Sequence, residues 1–159
     1  MPKSIMPTLN RQKDTEIEIR RVRIDDISAI VEIEKNSYPD PWSVKMFEGE
    51  LQLEFSNFFA AIKGSEIAGY ICLWTVSDEG QITNITVKEC FRKKGLGSIL
   101  MKYIIDISCA MKIKKMFLEV RSSNYPALSL YEKFGFKKIG VREKYYSNSD
   151  NAVVMAKIL

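Results

Sequence analysis

The segment that most constrains the fold is an amphipathic helix bordered on both sides by strand patterns. The run "LGSILMKYIIDISCAM" at 96–111 repeats apolar residues at helical spacing, so that they share one face. The runs "GQITNITV" before it and "KMFLEV" after it are rich in β-branched and apolar residues, which is typical of short strands. A helix with one apolar face must bury that face against another layer, so the alternation predicts an α/β chain.

The remaining segments extend this pattern. Asp25 or Asp26 is the expected cap of a first helix, and Ser43 is the expected N-cap of a second, with Trp42 packed on Phe47 as a hydrophobic staple. Further predicted elements are a strand before the first helix, a hairpin that turns at 63–66, a helix from Asn124 to Gly135, and strands near 136–145 and 152–158. The order is β-α-α-β-β-β-α-β-α-β-β, which predicts a mixed α/β sheet and not a regular doubly wound one.

Length and hydropathy bound the organisation of the chain. A length of 159 residues predicts one domain, here residues 16–159, preceded by a flexible, polar tail over residues 1–15. The sequence contains no stretch of about 18 apolar residues and no signal-peptide pattern, so we expect no membrane association and a cytoplasmic protein. Three widely spaced cysteines, Cys72, Cys90 and Cys109, match neither a metal-ligand nor a redox pattern.

The chain has no histidine, which excludes serine–histidine and cysteine–histidine catalysis and histidine-based metal sites. We therefore expect no metal, and proton transfer must use a carboxylate, tyrosine, lysine, cysteine or water. The net charge is +4, from 24 basic and 20 acidic residues. This mild excess suits an anionic ligand or ribosomal surroundings, but the bases are scattered, so direct binding to nucleic acid is not expected.

The run "FRKKGLGSIL" at 91–100 places Gly95 and Gly97 between a strand and a helix. It matches neither the P-loop pattern nor the dinucleotide fingerprint, which needs a third glycine where Leu100 stands. Successive N–H groups from Lys93 to Ser98 would nevertheless suit a pyrophosphate, because glycine lets the backbone approach a phosphate closely. A plain structural turn before a helix explains the same residues equally well.

A second group of polar residues follows in "FLEVRSSNYPALSLYEKFGF" at 117–136. Alternation places Glu119 and Arg121 on one face of a strand, while Asn124 begins a helix that carries Tyr131 on the same side. Each residue has an ordinary structural explanation: Glu119 paired with Arg121, Asn124 as a helix cap, and Tyr131 in the core. Their joint spacing favours a functional site instead.

Three motifs together resemble the GCN5-related N-acetyltransferase superfamily. They are Arg92-x-x-Gly95-x-Gly97, Leu118-Glu119-Val120-Arg121-x-x-Asn124 and Leu130-Tyr131-x-x-x-Gly135-Phe136. The runs "DPWS" at 40–43, "NITV" at 84–87, and "REKYY" followed by "NAVVM" are similar to the ribosomal-protein-alanine N-acetyltransferase (RimI-type) branch. The resemblance covers about residues 16–159 and implies the acyl-CoA N-acyltransferase fold of that superfamily.

The resemblance also implies roles for individual residues. Glu119 would be the general base and Tyr131 the general acid, with acetyl-CoA as co-substrate. The residues expected to bind acetyl-CoA are Ile85, Thr86, Val87, Arg92, Lys93, Lys94, Gly95, Leu96, Gly97, Ser98 and Asn124. Those expected to border the acceptor are Tyr38, Trp42, Tyr145 and Tyr146. One departure is Asp150-Asn151-Ala152, because related sequences often carry an acidic pair before the alanine.

The implied activity is transfer of acetyl from acetyl-CoA to a protein N-terminal amine, on a ribosomal protein that begins with alanine. We expect direct attack in a ternary complex and a monomer or weak dimer. Two alternatives remain open from the sequence. One is an acetyltransferase of the same fold that acts on a small amine or a lysine side chain, and the other is a non-catalytic module that binds CoA.

Overall fold

The computed structural model describes residues 16–159, and the tail predicted over residues 1–15 lies outside this range. The division into a tail and a single domain stays a prediction. The strands are β1 (Ile17–Arg21), β2 (Ser56–Lys63), β3 (Glu66–Val76), β4 (Glu79–Val87), β5 (Lys115–Arg121), β6 (Lys137–Arg142) and β7 (Ala152–Ile158). The α-helices are α1 (Ile27–Ser37), α2 (Val44–Glu50), α3 (Leu96–Ala110) and α4 (Tyr125–Lys133), in the order that the sequence predicts.

Local sequence signals explain where most helices begin and end. The Ser43 hydroxyl accepts from the Met46 N–H at 3.2 Å, and the Trp42 and Phe47 rings lie 5.3 Å apart, as the predicted cap and staple require. Asn124 caps α4 by accepting from the Ala127 N–H at 3.3 Å. Each of these predicted caps is formed by a side chain within three residues of its partner.

The prediction that an aspartate caps α1 is wrong in its detail. A short 3₁₀ turn, Ile24–Asp26, precedes the helix, and the Asp26 carboxylate makes no cap hydrogen bond to α1. The carboxylate instead accepts from the Arg23 N–H at 2.7 Å and from both ends of the Arg20 guanidinium at 2.7 and 3.0 Å. A bidentate arginine is a stronger partner for a carboxylate than a single backbone N–H, which explains the outcome.

The seven strands form one sheet in the order β1-β2-β3-β4-β5-β7-β6. Helices cover both of its faces: α1 and α2 pack on one side with Ile30, Phe47 and Tyr70 in the core, while α3 and α4 pack on the other with Leu100 and Ile104. None of the helices within residues 16–159 is long and apolar enough to cross a membrane.

The feature that positions the functional site is a break in the middle of the sheet. β4 and β5 are parallel neighbours, but they pair only from Glu79–Lys115 to Ile82–Leu118. The β3–β4 register shifts just beyond Ile82, which is the signature of a bulge, and bulges bend the strand that carries them. The rest of β4 therefore diverges from β5, and a wedge-shaped gap opens between the two strands.

Candidate functional site

The gap between β4 and β5 opens into a cavity of about 530 Å³. Its walls come from β4, β5, α4 and the two loops that join α1 to α2 and β6 to β7. Eight of the predicted site residues line it, namely Tyr38, Trp42, Ile85, Glu119, Asn124, Tyr131, Tyr145 and Tyr146. The fold therefore brings together in one cleft residues that the sequence distributes over about a hundred positions.

The backbone of β4 presents free N–H groups to this gap. The Lys88 N–H, just after β4, donates to the carbonyl of Ala68 on β3 at 2.8 Å, so Lys88 and Ala68 form a hydrogen-bonded pair. Bonded and non-bonded pairs alternate along an antiparallel ladder. Ile85 and Val87 fall on non-bonded positions, so their N–H and C=O groups point away from β3 and towards the place that β5 has left.

Two side-chain contacts agree with this orientation. The Tyr38 hydroxyl donates to the Ile85 carbonyl at 3.1 Å, and the Arg92 Nε donates to the Val87 carbonyl at 2.9 Å. The Tyr38 hydroxyl also lies 2.9 Å from the hydroxyl of buried Thr86. Burial raises the pKa of Tyr38, so this phenol remains a neutral donor. The carbonyls of this edge are thus occupied, while its amides remain open to a ligand.

The glycine-rich turn follows directly at the end of β4. Lys93 and Gly95 adopt φ of +61° and +81°, which reverses the chain before α3 begins at Leu96. Arg92 N–H bonds to Glu89 at 3.2 Å and Ile99 N–H bonds to Gly95 at 3.1 Å. Between them, the N–H groups of residues 93–98 have no backbone acceptor in the described chain. A run of free amides at a helix N-terminus is a favourable site for an anionic group.

Two residues of this turn, Arg92 and Gly97, make structural contacts that the sequence did not predict. The Arg92 guanidinium reaches the Val87 carbonyl and the Ser37 hydroxyl at 2.9 and 3.0 Å, so it anchors the turn to β4 and α1. A Cβ on Gly97 would stand 3.1 Å from a methyl carbon of Leu130, so Gly97 allows α3 to approach α4 closely. None of the residues from Arg92 to Ser98 lines the cavity itself. The turn is therefore a separate candidate binding site.

Glu119 lies at the floor of the cavity, on the half-exposed face of β5. The possible pairing of Glu119 with Arg121 does not occur; its carboxylate instead lies 3.1 Å from Nε of Arg142 on β6. The Arg142 side chain is 59% exposed, so the ion pair is weak and the Glu119 carboxylate can exchange it for a ligand in the cavity. The neighbouring Glu119 carboxylate raises the pKa of the Tyr145 phenol, so this phenol keeps its proton at neutral pH.

Tyr131 enters the cavity from α4, on the other side of β5. The residue is only 6% exposed, and its ring lies 6.2 Å from that of Phe136. Burial raises the pKa of the phenol above its ordinary value near 10, so the hydroxyl keeps its proton at neutral pH. None of the side-chain hydrogen bonds within residues 16–159 involves this hydroxyl, and no buried side-chain oxygen in that range lacks a partner, so the hydroxyl reaches the cavity, where it can donate to a ligand.

Asn124 combines the two roles that the sequence left open. Its side chain caps α4 through the Ala127 N–H and also lines the cavity. The carboxamide oxygen serves the helix, so the NH₂ group remains as the donor available to a bound molecule.

The four tyrosine and tryptophan residues predicted to border the acceptor form the outer walls. Trp42 packs on Phe47 and lines the cavity with another part of its surface. Tyr145 and Tyr146 meet edge to face with ring centroids 5.1 Å apart, and Tyr145 is half exposed. Rigid aromatic walls with polar ends suit an extended peptide.

Sequence reasoning did not assign a role to Glu34, a carboxylate that is 2% exposed and lines the cavity from α1. It accepts from the Tyr70 hydroxyl, from the Asn84 NH₂ at 3.1 Å and from the Trp42 N–H at 3.2 Å. This set of donors compensates the burial of the charge. The sequence feature that could have indicated this role is the position of Glu34 within the apolar stripe of the first predicted helix.

Asn151, the departure noted in the sequence, has a structural role of its own. Its side-chain oxygen accepts from the Lys144 N–H at 2.9 Å and closes the loop between β6 and β7. A carboxylate could accept the same bond, so replacement of an acid by asparagine preserves this contact.

Comparison with known proteins places this geometry in a context. The model of the acetyltransferase (GNAT) family matches residues 27–136. A relative from Bacillus subtilis (strain 168) is 36% identical over 143 residues, covering 89% of this chain and 95% of that protein. The Escherichia coli (strain K12) ribosomal protein bS18-alanine N-acetyltransferase is 32% identical over 141 residues, covering 87% and 95%.

An archaeal relative and a solved structure show the same similarity to N-terminal acetyltransferases. An N-alpha-acetyltransferase from Saccharolobus solfataricus is 31% identical over 167 residues, covering 97% of this chain and all of that protein. The crystal structure of the ribosomal-protein-S18-alanine N-acetyltransferase from Escherichia coli matches with a TM-score of 0.84 at 30% identity, covering 90% of this chain and 94% of that one. This likeness confirms the mixed α/β fold that the sequence predicts.

Proposed function

Because the chain belongs to the acetyltransferase (GNAT) family, as its motifs indicate, we propose that it transfers acetyl from acetyl-CoA to the N-terminal α-amine of a ribosomal protein that begins with alanine. The observation that carries this proposal is the gap between β4 and β5, which holds Glu119 and Tyr131 beside a run of free amides. The names of the bacterial and archaeal relatives, all N-terminal acetyltransferases, support the same reaction.

The free amides suit acetyl-CoA from its pyrophosphate to its acetyl group. The N–H groups of residues 93–98 would bind the pyrophosphate, and Lys93 and Lys94 would add screened electrostatic attraction. The amides of Ile85 and Val87 would bind the pantetheine arm and the acetyl carbonyl in the gap. The Asn124 NH₂ lies on the opposite wall and would bind the same arm.

The side chains on the floor account for the proton transfers. An N-terminal amine has a pKa of about 8, so it must lose a proton to attack the thioester at neutral pH. Glu119 accepts this proton, directly or through water, and the Ile85–Val87 amides stabilise the oxyanion that develops on the acetyl carbonyl. As the C–S bond breaks, buried Tyr131 donates its proton to the leaving thiolate.

The acceptor peptide would enter between Tyr38 and Trp42 on one side and Tyr145 and Tyr146 on the other. We place the reaction in the cytoplasm, where ribosomal proteins are synthesised, and expect a monomer or weak dimer that binds no nucleic acid directly. We expect the reaction to need no metal, because both proton transfers are assigned to side chains of this chain.

Purified protein with acetyl-CoA and short peptides tests the proposal. We expect CoA release with peptides that begin with alanine, and none when the α-amine of the same peptide is blocked. A peptide with a blocked α-amine and a free lysine, together with a polyamine, serves as the control for other acceptors. Absence of CoA release with peptides that begin with Ala, Ser or Met would refute N-terminal acetylation. Faster turnover of the lysine peptide or the polyamine would show that the preferred acceptor is not an N-terminal amine.

A further inference from the structure

Arg121 is the most densely bonded side chain at the rim of the cleft. It lies on β5 two residues after Glu119 and on the same face, with a side chain that is 13% exposed. Its guanidinium binds the carboxylate of Asp40, and Nη1 lies 2.8 Å from the Asn148 carboxamide oxygen and 3.5 Å from the Asp150 carboxylate. The guanidinium also stacks over the Tyr146 ring, 4.0 Å from its centroid.

These partners belong to two loops that are distant in sequence. Asp40 lies in the α1–α2 loop, which carries Tyr38 and Trp42 on one wall of the cavity. The Asn148, Asp150 and Tyr146 side chains lie in the β6–β7 loop, which forms the other wall. The loops also touch directly, since the Ser147 hydroxyl donates to Asp40 at 3.4 Å. A single guanidinium therefore joins both walls above the candidate base.

We propose that Arg121 is a positioning residue that holds these two loops together and so assembles the acceptor site as one unit. The inference rests on the proposed function, since it names the part of the cleft that receives the acceptor. Arginine suits this role because its planar fork offers donors in two directions at once, which lysine cannot. Two carboxylates surround one guanidinium, so its removal leaves like charges facing each other and favours separation of the loops.

The first test requires no activity. Hydrogen–deuterium exchange is measured on the wild type and on Arg121→Met, for peptides covering residues 38–43 and 143–151. We expect faster exchange in both segments in the variant. Arg20→Met is the matched control, because it also removes a part-buried arginine–aspartate pair, but on β1 and outside the residues that line the cavity. If both loops keep wild-type exchange in Arg121→Met, the positioning role is refuted whether or not the protein acetylates peptides.

The second test separates positioning from stability. Arg121→Met should raise KM for the acceptor peptide about tenfold or more, while kcat changes less and the Kd of acetyl-CoA stays within about twofold. Arg121→Lys keeps the charge but can serve only one loop well, so it should restore part of the loss. Arg20→Met should leave KM unchanged. An acceptor KM in Arg121→Met equal to that of the wild type, or an equal change for acetyl-CoA, would overturn the inference.

Discussion

At the scale of single residues, the site depends on polar groups whose environment decides what they do. Glu34 and Glu119 are both cavity carboxylates, but Glu34 is enclosed by the donors of Tyr70, Asn84 and Trp42, whereas Glu119 has one exposed partner in Arg142. A carboxylate whose oxygens already accept from several donors is held in place, while one with a single exposed partner keeps acceptor capacity for a ligand. This difference favours Glu119 as the base and leaves Glu34 as a support for the α1–α2 loop.

The acid and base are tested by the smallest substitutions that remove a proton donor or acceptor. Glu119→Gln and Tyr131→Phe should each lower kcat by about 10²-fold or more, because each removes one proton-transfer group. The Kd of acetyl-CoA, measured by calorimetry, should change little, since neither residue belongs to the predicted pyrophosphate site. Tyr103→Phe is the matched control, because Tyr103 is a half-buried tyrosine of α3 that packs on Phe59 and does not line the cavity. Wild-type turnover in both variants would reject this mechanism.

The sequence located Glu119, Asn124 and Tyr131 because each lies within one strand–helix unit whose spacing is regular. It could not find the partners of Glu34, because Tyr70 and Asn84 lie on strands whose register depends on the whole sheet. The same reason explains why the sequence offered only the near neighbour Glu119 as a possible partner of Arg121. In the folded chain, Asp40 and Asp150 approach Arg121 from two separate loops.

At the scale of elements, the turn before α3 shows that two glycines separated by one residue can have different structural roles. Gly95 has φ of +81°, a conformation that other L-residues adopt at a cost, and a Cβ there would meet no atom within 4 Å. Gly97 has no such φ, but its open side receives Leu130 of α4. The sequence predicted that both glycines serve the approach of phosphate to the backbone, because contact with Leu130 depends on how the helices pack.

Gly95→Ala isolates the backbone contribution of this turn to binding. The left-handed conformation costs an alanine about 1 to 2 kcal/mol. We expect the turn to relax in the unliganded variant, so that binding must restore it and the Kd of acetyl-CoA rises roughly five- to thirtyfold. Lys93→Ala is the matched control, because Lys93 is already a non-glycine residue at φ +61° and the substitution removes only charge. Its effect should be smaller and should fade at high salt. A larger loss in Lys93→Ala than in Gly95→Ala would show that charge, not backbone geometry, governs the turn.

At the scale of the whole molecule, the sheet behaves as two halves with a short connection. Within residues 16–159, strands β1 to β4 and strands β5, β7 and β6 pair with each other only where residues 79–82 meet residues 115–118. The order of elements along the chain followed from local patterns in the sequence. The strand order and the divergence of β4 from β5 could not be predicted in this way. They depend on a register shift opposite Cys72–Leu73 and on helices packed against both halves.

A ligand that bridges the gap should therefore stabilise the whole fold. At a concentration of acetyl-CoA a hundred times its Kd, binding to the native state alone adds about 2.7 kcal/mol to the free energy of unfolding. For a domain of this size we expect Tm to rise by about 5 to 10 °C, measured by calorimetry with and without acetyl-CoA. S-acetyl-pantetheine, which lacks the pyrophosphate, should give a smaller shift at equal concentration, because it leaves the amides of residues 93–98 unfilled. An equal shift for both compounds would mean that the turn before α3 contributes nothing to binding, and no shift for either would mean that acetyl-CoA does not bind across the two halves.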